Sequence, residues 1–202
     1  PLLAAADLQD HLMVASNGSG ESSTAQTFTL GALSGSGGIS GRNSLIIGNK
    51  NSSTTYSGTI GSGGGRLTKL GSGSLDLQGA NEYTGGTIVQ EGSLIVSNSL
   101  GSATGTGSVT VRSGAVLGGR GSIAGAVQVL EGGILAAGSP TNVGSTLKLG
   151  KGLTMSSGSR MLFKQYLLYY DKLAVTGNIS LSGTLELQIQ GTALSEGRSL
   201  QL

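Results

Sequence analysis

The sequence has no cysteine, no tryptophan and only 2 prolines in 202 residues. Zero cysteine removes disulfides, thiol nucleophiles, thiolate zinc sites and iron–sulfur clusters. Aromatic residues make up 3% and charged residues 11% of the chain. A large aromatic core and an ordinary charged surface are therefore both excluded. Scarce proline, with glycine on no three-residue period, excludes collagen. The net charge of +2 rests on 12 basic against 10 acidic residues. That margin is too thin for an electrostatic nucleic-acid footprint, despite a pI near 9.1. No apolar run approaches the ~18 residues of a membrane-spanning helix. The longest, Met161 to Tyr170, is broken by Lys164 and Gln165.

What is abundant is glycine, 38 residues, more than twice the usual share of roughly 7%. Hydrophobic residues still reach 37% and mean hydropathy is +0.13. Disorder couples low hydrophobicity to high net charge, so this composition argues for a fold. Leu, Val and Ile occur in short runs between Gly, Ser and Asn, the punctuation expected of strands and turns. Leu75-Asp76-Leu77 and Leu185-Glu186-Leu187-Gln188-Ile189 alternate as half-buried strands do. No 3.6-residue period is convincing, and Leu2 to Met13 lacks an apolar face wide enough for a helix.

An internal repeat organises these strands. Thr87 to Ile95 (TIVQEGSLI) matches Val109 to Leu117 (VTVRSGAVL), Val127 to Leu135 (VQVLEGGIL) and Leu153 to Met161 (LTMSSGSRM). The copies start 22, 18 and 26 residues apart. Each holds an alternating strand, a polar residue, a Gly and a second strand. The Gly suits a corner that needs positive φ. A period near 22 predicts an all-β parallel β-helix (β-solenoid), one repeat per coil, with inward Leu, Val and Ile stacked in columns. One such coil cannot bury its own apolar face; only stacking can. Coils ~4.8 Å apart give ~9 coils and a rod ~43 Å long. An antiparallel sandwich or barrel is the rival, but it calls for more aromatics and hairpin dipeptides. Asn17-Gly18 is the one such dipeptide.

Residues 65–92 read GRLTKLGSGSLDLQGANEYTGGTIVQEG. This stretch closely resembles the autotransporter-associated β-strand repeat, also called the passenger-associated transport repeat. Leu67-Thr68-Lys69, Gly71-Ser72-Gly73, Gly79-Ala80-Asn81, Tyr83-Thr84-Gly85-Gly86-Thr87 and Glu91-Gly92-Ser93-Leu94 carry the match. The flanks, Leu30 to Gly41, Gly118 to Ile123, Leu135 to Pro140 and Asp171 to Gly177, resemble the usual surroundings of that repeat, and Met161 to Tyr170 is less typical. The resemblance implies a right-handed, single-stranded parallel β-helix in a secreted or outer-membrane-associated bacterial passenger. It brings no catalytic residue.

Residues that could carry chemistry are few. His11 is the single histidine, and no G-x-S-x-G elbow accompanies it. Asp76, Asp171 and Glu186 are the acids a carbohydrate-active β-helix enzyme would have to use. Glu91 and Glu131 recur at one repeat position and are expected to line one edge as solvated turn residues. Gly150-Lys151-Gly152 lacks the Ser/Thr of a P-loop, and Gly61 to Arg66 lacks the third Gly of a dinucleotide fingerprint. Asn17, Asn51 and Asn178 sit in glycosylation sequons expected by chance in a Ser/Thr-rich chain. Calcium-binding repeats are absent. Tyr166, Tyr169 and Tyr170 form the one aromatic cluster, a candidate contact patch for sugar or protein. The blander reading is a loop packed on the helix side.

The sequence is thus expected to form a single β-helix segment over 1–202, a fragment of a longer chain. Residues 1–26 would form an N-terminal coil or cap, 65–96 the best-matching repeat and 160–172 a loop excursion. The expected function is a non-enzymatic, extracellular stalk or adhesin-like passenger segment of a bacterial surface protein, with no cofactor or metal. Expected partners are further copies of itself and a host or matrix surface, with no nucleic acid. Contact with a membrane would run only through a region outside this chain. A self-assembling filament or sheath subunit is the alternative.

Overall fold

The computed structural model describes residues 25–40, 42–138, 144–166 and 169–190. It is a β-solenoid. The first wall stacks β1 (Thr27–Leu30), β2 (Ser44–Ile47), β4 (Leu67–Lys69), β6 (Thr87–Val89), β8 (Val109–Val111), β11 (Val127–Val129), β14 (Gly152–Met155) and β18 (Asn178–Leu181). The second wall stacks β3 (Thr54–Tyr56), β5 (Ser74–Leu77), β7 (Ser93–Val96), β9 (Val116–Gly119), β12 (Ile134–Ala137), β15 (Arg160–Tyr166) and β19 (Thr184–Gln190). A shorter third wall holds β10 (Ser122–Ile123), β13 (Thr146–Leu149) and β17 (Lys172–Val175). Among the described residues one strand runs against its neighbour, β16 (Tyr169–Tyr170), antiparallel to β15. Every other pairing between these strands is parallel, which rules out the sandwich.

Eight strands in the first wall make seven steps, about 34 Å at the usual strand spacing. The nine coils expected for the whole chain thus become eight levels among the described residues. The coils are unequal. Paired residues along the first wall lie 17 apart at Thr27/Ser44, 22 at Leu45/Leu67, 20 at Leu67/Thr87 and 26 at Val127/Leu153. The cap expected at 1–26 lies outside the described residues except for 25 and 26, as does the Leu2–Met13 stretch.

Alternation dictates the core. Leu75, Leu94, Leu117, Leu135 and Met161 form one inward column on the second wall. Leu30, Ile47, Val89, Val111, Val129 and Met155 are inward on the first. The ungapped repeat predicts the register of the first wall: Thr87 lies on Val109, then Val127, then Leu153. On the second wall it slips by one residue, because Leu94 pairs with Leu117 rather than Val116. The corner after β6 has three residues and the corner after β8 has four. A one-residue slip would turn every inward side chain outward, so the extra residue, Ala115, is absorbed in the corner.

Corner glycines behave as expected. Gly92, Gly114, Gly132 and Gly158 have φ of 61°, 75°, 73° and 76°. At three corners the turn closes on itself: Ala115 donates its N–H to the Arg112 carbonyl, Gly133 to Leu130 and Ser159 to Ser156. The third wall is irregular in earlier coils, and side-chain amides add to its backbone hydrogen bonds. Asn81 Oδ1 accepts from the Ile60 N–H at 2.7 Å while its Nδ2 donates to the Ala103 carbonyl. Asn98 Oδ1 accepts from the Ser122 N–H at 2.9 Å.

Candidate interaction surfaces and internal polar groups

Among the described residues, Asp76 and Glu186 are not gathered into a catalytic pair. Asp76 and Glu186 point outward in one column of the second wall, through Ile95, Gly118, Ala136 and Leu162. Five steps separate them, about 24 Å, beyond the carboxylate spacing of either glycosidase mechanism. Glu186 accepts from Gln188 Nε2 at 3.1 Å and Arg160 Nη2 at 2.6 Å, and these bonds hold its pKa below the usual value. Asp171 is buried, which raises its pKa against the pull of bonds from the Ser145 and Lys164 N–H groups, each 3.3 Å. Since the Asp171 N–H in turn donates to the Lys164 carbonyl, this side chain closes the root of the β15–β16 hairpin. Among the described residues no group of three or more His, Asp or Glu could hold a metal ion. His11 and Asn17 lie outside the described residues.

Glu91 and Glu131 do not form a continuous edge. Gln128 lies on Thr110 and Thr110 on Ile88, so the corner of Ser113 sits between theirs. Asn51 uses its Oδ1 to accept from the Ser72 N–H at 2.9 Å, a turn role, and Asn178 begins β18. Gly61 to Arg66 lie in the connection before β4, and Gly150 and Lys151 lead into Gly152, the first residue of β14.

Of the aromatic cluster, Tyr166 and Tyr169 are backbone partners across the hairpin, with Gln165 opposite Tyr170. The Tyr166 side chain lies outside the described residues. Tyr169 is 65% exposed and Tyr170 53%. Lys172 Nζ sits 5.0 Å from the centre of the Tyr170 ring, within cation–π range. The stretch read as a loop excursion over 160–172 is a seven-residue strand of the second wall followed by this hairpin. Its apolar positions follow the stack: Met161 is buried and Phe163 packs on the core.

At the C-terminal end of the stack, Ile179 and Leu181 of β18 and Leu185 and Ile189 of β19 are 54%, 59%, 45% and 43% exposed. In a covered coil, the residues at the Leu181 position are buried; Met155, its partner, is 2% exposed. The outer edges of β17, β18 and β19 have no neighbouring strand among the described residues.

The interior holds one charge that sequence reasoning left unremarked. Lys69 is 1% exposed, in the column between Ile47 and Val89. Its ammonium donates to the carbonyls of Leu70 at 2.7 Å, Gly71 at 2.9 Å and Glu91 at 3.4 Å. Three N–H groups thus meet three acceptors. Burial lowers its pKa, with Glu91 pulling the other way. The alternation Leu67-Thr68-Lys69 carried the signal, because period two puts Lys69 on the face of Leu67. Two tyrosines also face inward. Tyr56 donates to the Gly37 and Thr59 carbonyls, and Tyr83 OH lies 2.6 Å from Thr87 Oγ1.

Comparison with known proteins is consistent with this geometry. The family profile described as "Passenger-associated-transport-repeat" matches residues 67–96. A curated relative, "Adhesin BmaC autotransporter" of Brucella suis biovar 1 (strain 1330), is 41% identical over 99 residues, 49% of this chain. The match spans 3% of that relative's length. No solved structure matches.

Proposed function

We propose that this chain, which carries a passenger-associated-transport repeat at residues 67–96, serves as a non-enzymatic, adhesin-like β-helical segment of a bacterial surface protein. The single observation that carries this reading is the repeat at 67–96, folded as one stretch of a continuous parallel stack. The likeness to an adhesin autotransporter supports placement at the cell surface. Acids spread along the rod support a structural rather than a hydrolytic role. Ladder hydrogen bonds and aliphatic columns extend the chain as a rod. Tyr169 and Tyr170 are the candidate contact patch. The test is antibody labelling of intact cells that express the parent protein, with and without external protease. Labelling lost on protease treatment of intact cells supports the reading; epitopes reached only after lysis overturn it.

A second reading, end-to-end assembly, is favoured by the exposed apolar residues at the C-terminal end. Unpaired parallel edges are templates for a further strand. Ordered fibres seen by electron microscopy of the purified chain would favour it.

A further inference from the structure

The third wall carries charge of one sign. Its strands and flanking turns, residues 120–126, 144–151 and 172–177, contain Arg120, Lys148, Lys151 and Lys172 and no Asp or Glu. These are 4 of the 12 basic residues of a chain with net charge +2. All four are exposed. Register places Lys148 and Lys172 on one outward face. Leu147 and Leu149 point into the core, so Lys148 points out. Lys148 pairs with Ala174, and Thr146 pairs with Lys172. Lys172 therefore lies one strand over and two residues back from Lys148, within reach of long side chains. Arg120 precedes the Ser122 that pairs with Lys148. The adjacent acid, Asp171, is turned inward and held by backbone N–H groups.

The exposed tyrosines continue this face. Tyr170 lies against Lys172, and a side chain at Gly144, just before β13, would meet Tyr169 Cβ at 3.4 Å. An uninterrupted set of cations beside two exposed rings fits a partner that offers anionic groups and flat apolar faces together. Pyranose rings bearing carboxylates or sulfates offer both. Ser122, Thr146 and Thr176 add uncharged hydroxyls along the wall.

We propose that the third wall and the β15–β16 hairpin form a binding surface for anionic polysaccharide, with Arg120, Lys148 and Lys172 meeting its acidic groups and Tyr169 and Tyr170 its sugar rings. This names a partner class for the adhesive surface and rests on that reading. The cell-labelling experiment above tests the reading by itself, so the two can fail separately.

The experiment titrates the full chain by calorimetry with heparin, hyaluronate, neutral dextran and duplex DNA at two salt concentrations. The expected result is binding to heparin or hyaluronate that weakens with salt, and none to dextran. Lys148→Gln with Lys172→Gln should bind at least about fivefold more weakly and flatten the salt dependence, since fewer counterions are released. Tyr169→Ala with Tyr170→Ala should weaken binding while leaving the salt slope intact. Unchanged circular dichroism and melting temperature show that each variant folds; for one that does not, Lys148→Glu and Tyr169→Ser alone replace it. Absence of binding, equal affinity for DNA, or affinity unchanged in both variants overturns the proposal.

Discussion

Lys69 and Glu91 clasp each other across two successive coils. The Glu91 N–H donates to the Lys69 carbonyl at 3.4 Å, and the Lys69 ammonium donates to the Glu91 carbonyl at 3.4 Å. The Gln90 N–H joins them at 2.9 Å on the same Lys69 oxygen. At the corners after β8, β11 and β14, a turn amide satisfies the first carbonyl. At the corner after β4, the carbonyl of Leu70 accepts from the lysine instead. This is where a four-residue corner lies over a three-residue one. The side chain therefore supplies the donor where this longer corner meets the shorter one.

Replacing Lys69 by Met keeps the volume and removes the three donors. Stability should fall by about 1–3 kcal/mol, the cost of leaving buried carbonyls unmet. Urea denaturation checks this, and amide exchange at Gln90 and Glu91 should quicken. An unchanged midpoint would mean that the carbonyls find other donors.

Alkaline titration should bring out the inward tyrosines. Burial pushes the Tyr56 pKa up to about 12 and raises that of Tyr83 as well. Above pH 10 the unfolded chain loses protons that the folded chain keeps, so stability declines as pH rises toward 12. Lys69 acts oppositely. Its lowered pKa means the unfolded chain holds the extra proton just below pH 10.5, so its contribution grows with pH there. Tyr56→Phe should flatten the decline, measured as thermal stability between pH 9 and 12.

Two corner glycines separate strain from collision. Both Gly92 and Gly114 need positive φ. A side chain at Gly92 would meet the Gly71 and Gly73 carbonyls at 2.4 Å, whereas one at Gly114 would meet nothing within 4 Å. Gly114→Ala should cost about 1–2 kcal/mol, the left-handed penalty. Gly92→Ala should cost clearly more, since backbone must move. Melting temperatures of the pair measure the difference.

Charge placed on the C-terminal end should suppress association. Leu181→Lys with Leu185→Lys changes residues that are already exposed, so the melting temperature should hold. Sedimentation should show fewer oligomers than wild type at equal concentration, because inward-facing charge blunts an open edge. Equal oligomer content would place self-association elsewhere.

Much of this architecture is written locally. Alternation fixes which face of each strand is buried, as in Leu75-Asp76-Leu77. The glycines after Glu91, Ser113, Glu131 and Ser157 fix the corners through backbone conformation alone. Hence the spacing of repeat copies predicts the pairings of the first wall. Poverty in cysteine and aromatics likewise limits the core to aliphatic columns. What only the tertiary stack decides is relational. Ala115 disappears into a corner because Leu117 must meet Leu94. A cation is tolerated at Lys69 because three carbonyls from two coils converge on its ammonium. Lys148 and Lys172 are 24 positions apart in sequence and share a surface because a 26-residue coil sets them on neighbouring strands. Local pattern fixes which way a side chain faces; neighbours across coils are set by coil length, a sum over every corner and turn between them.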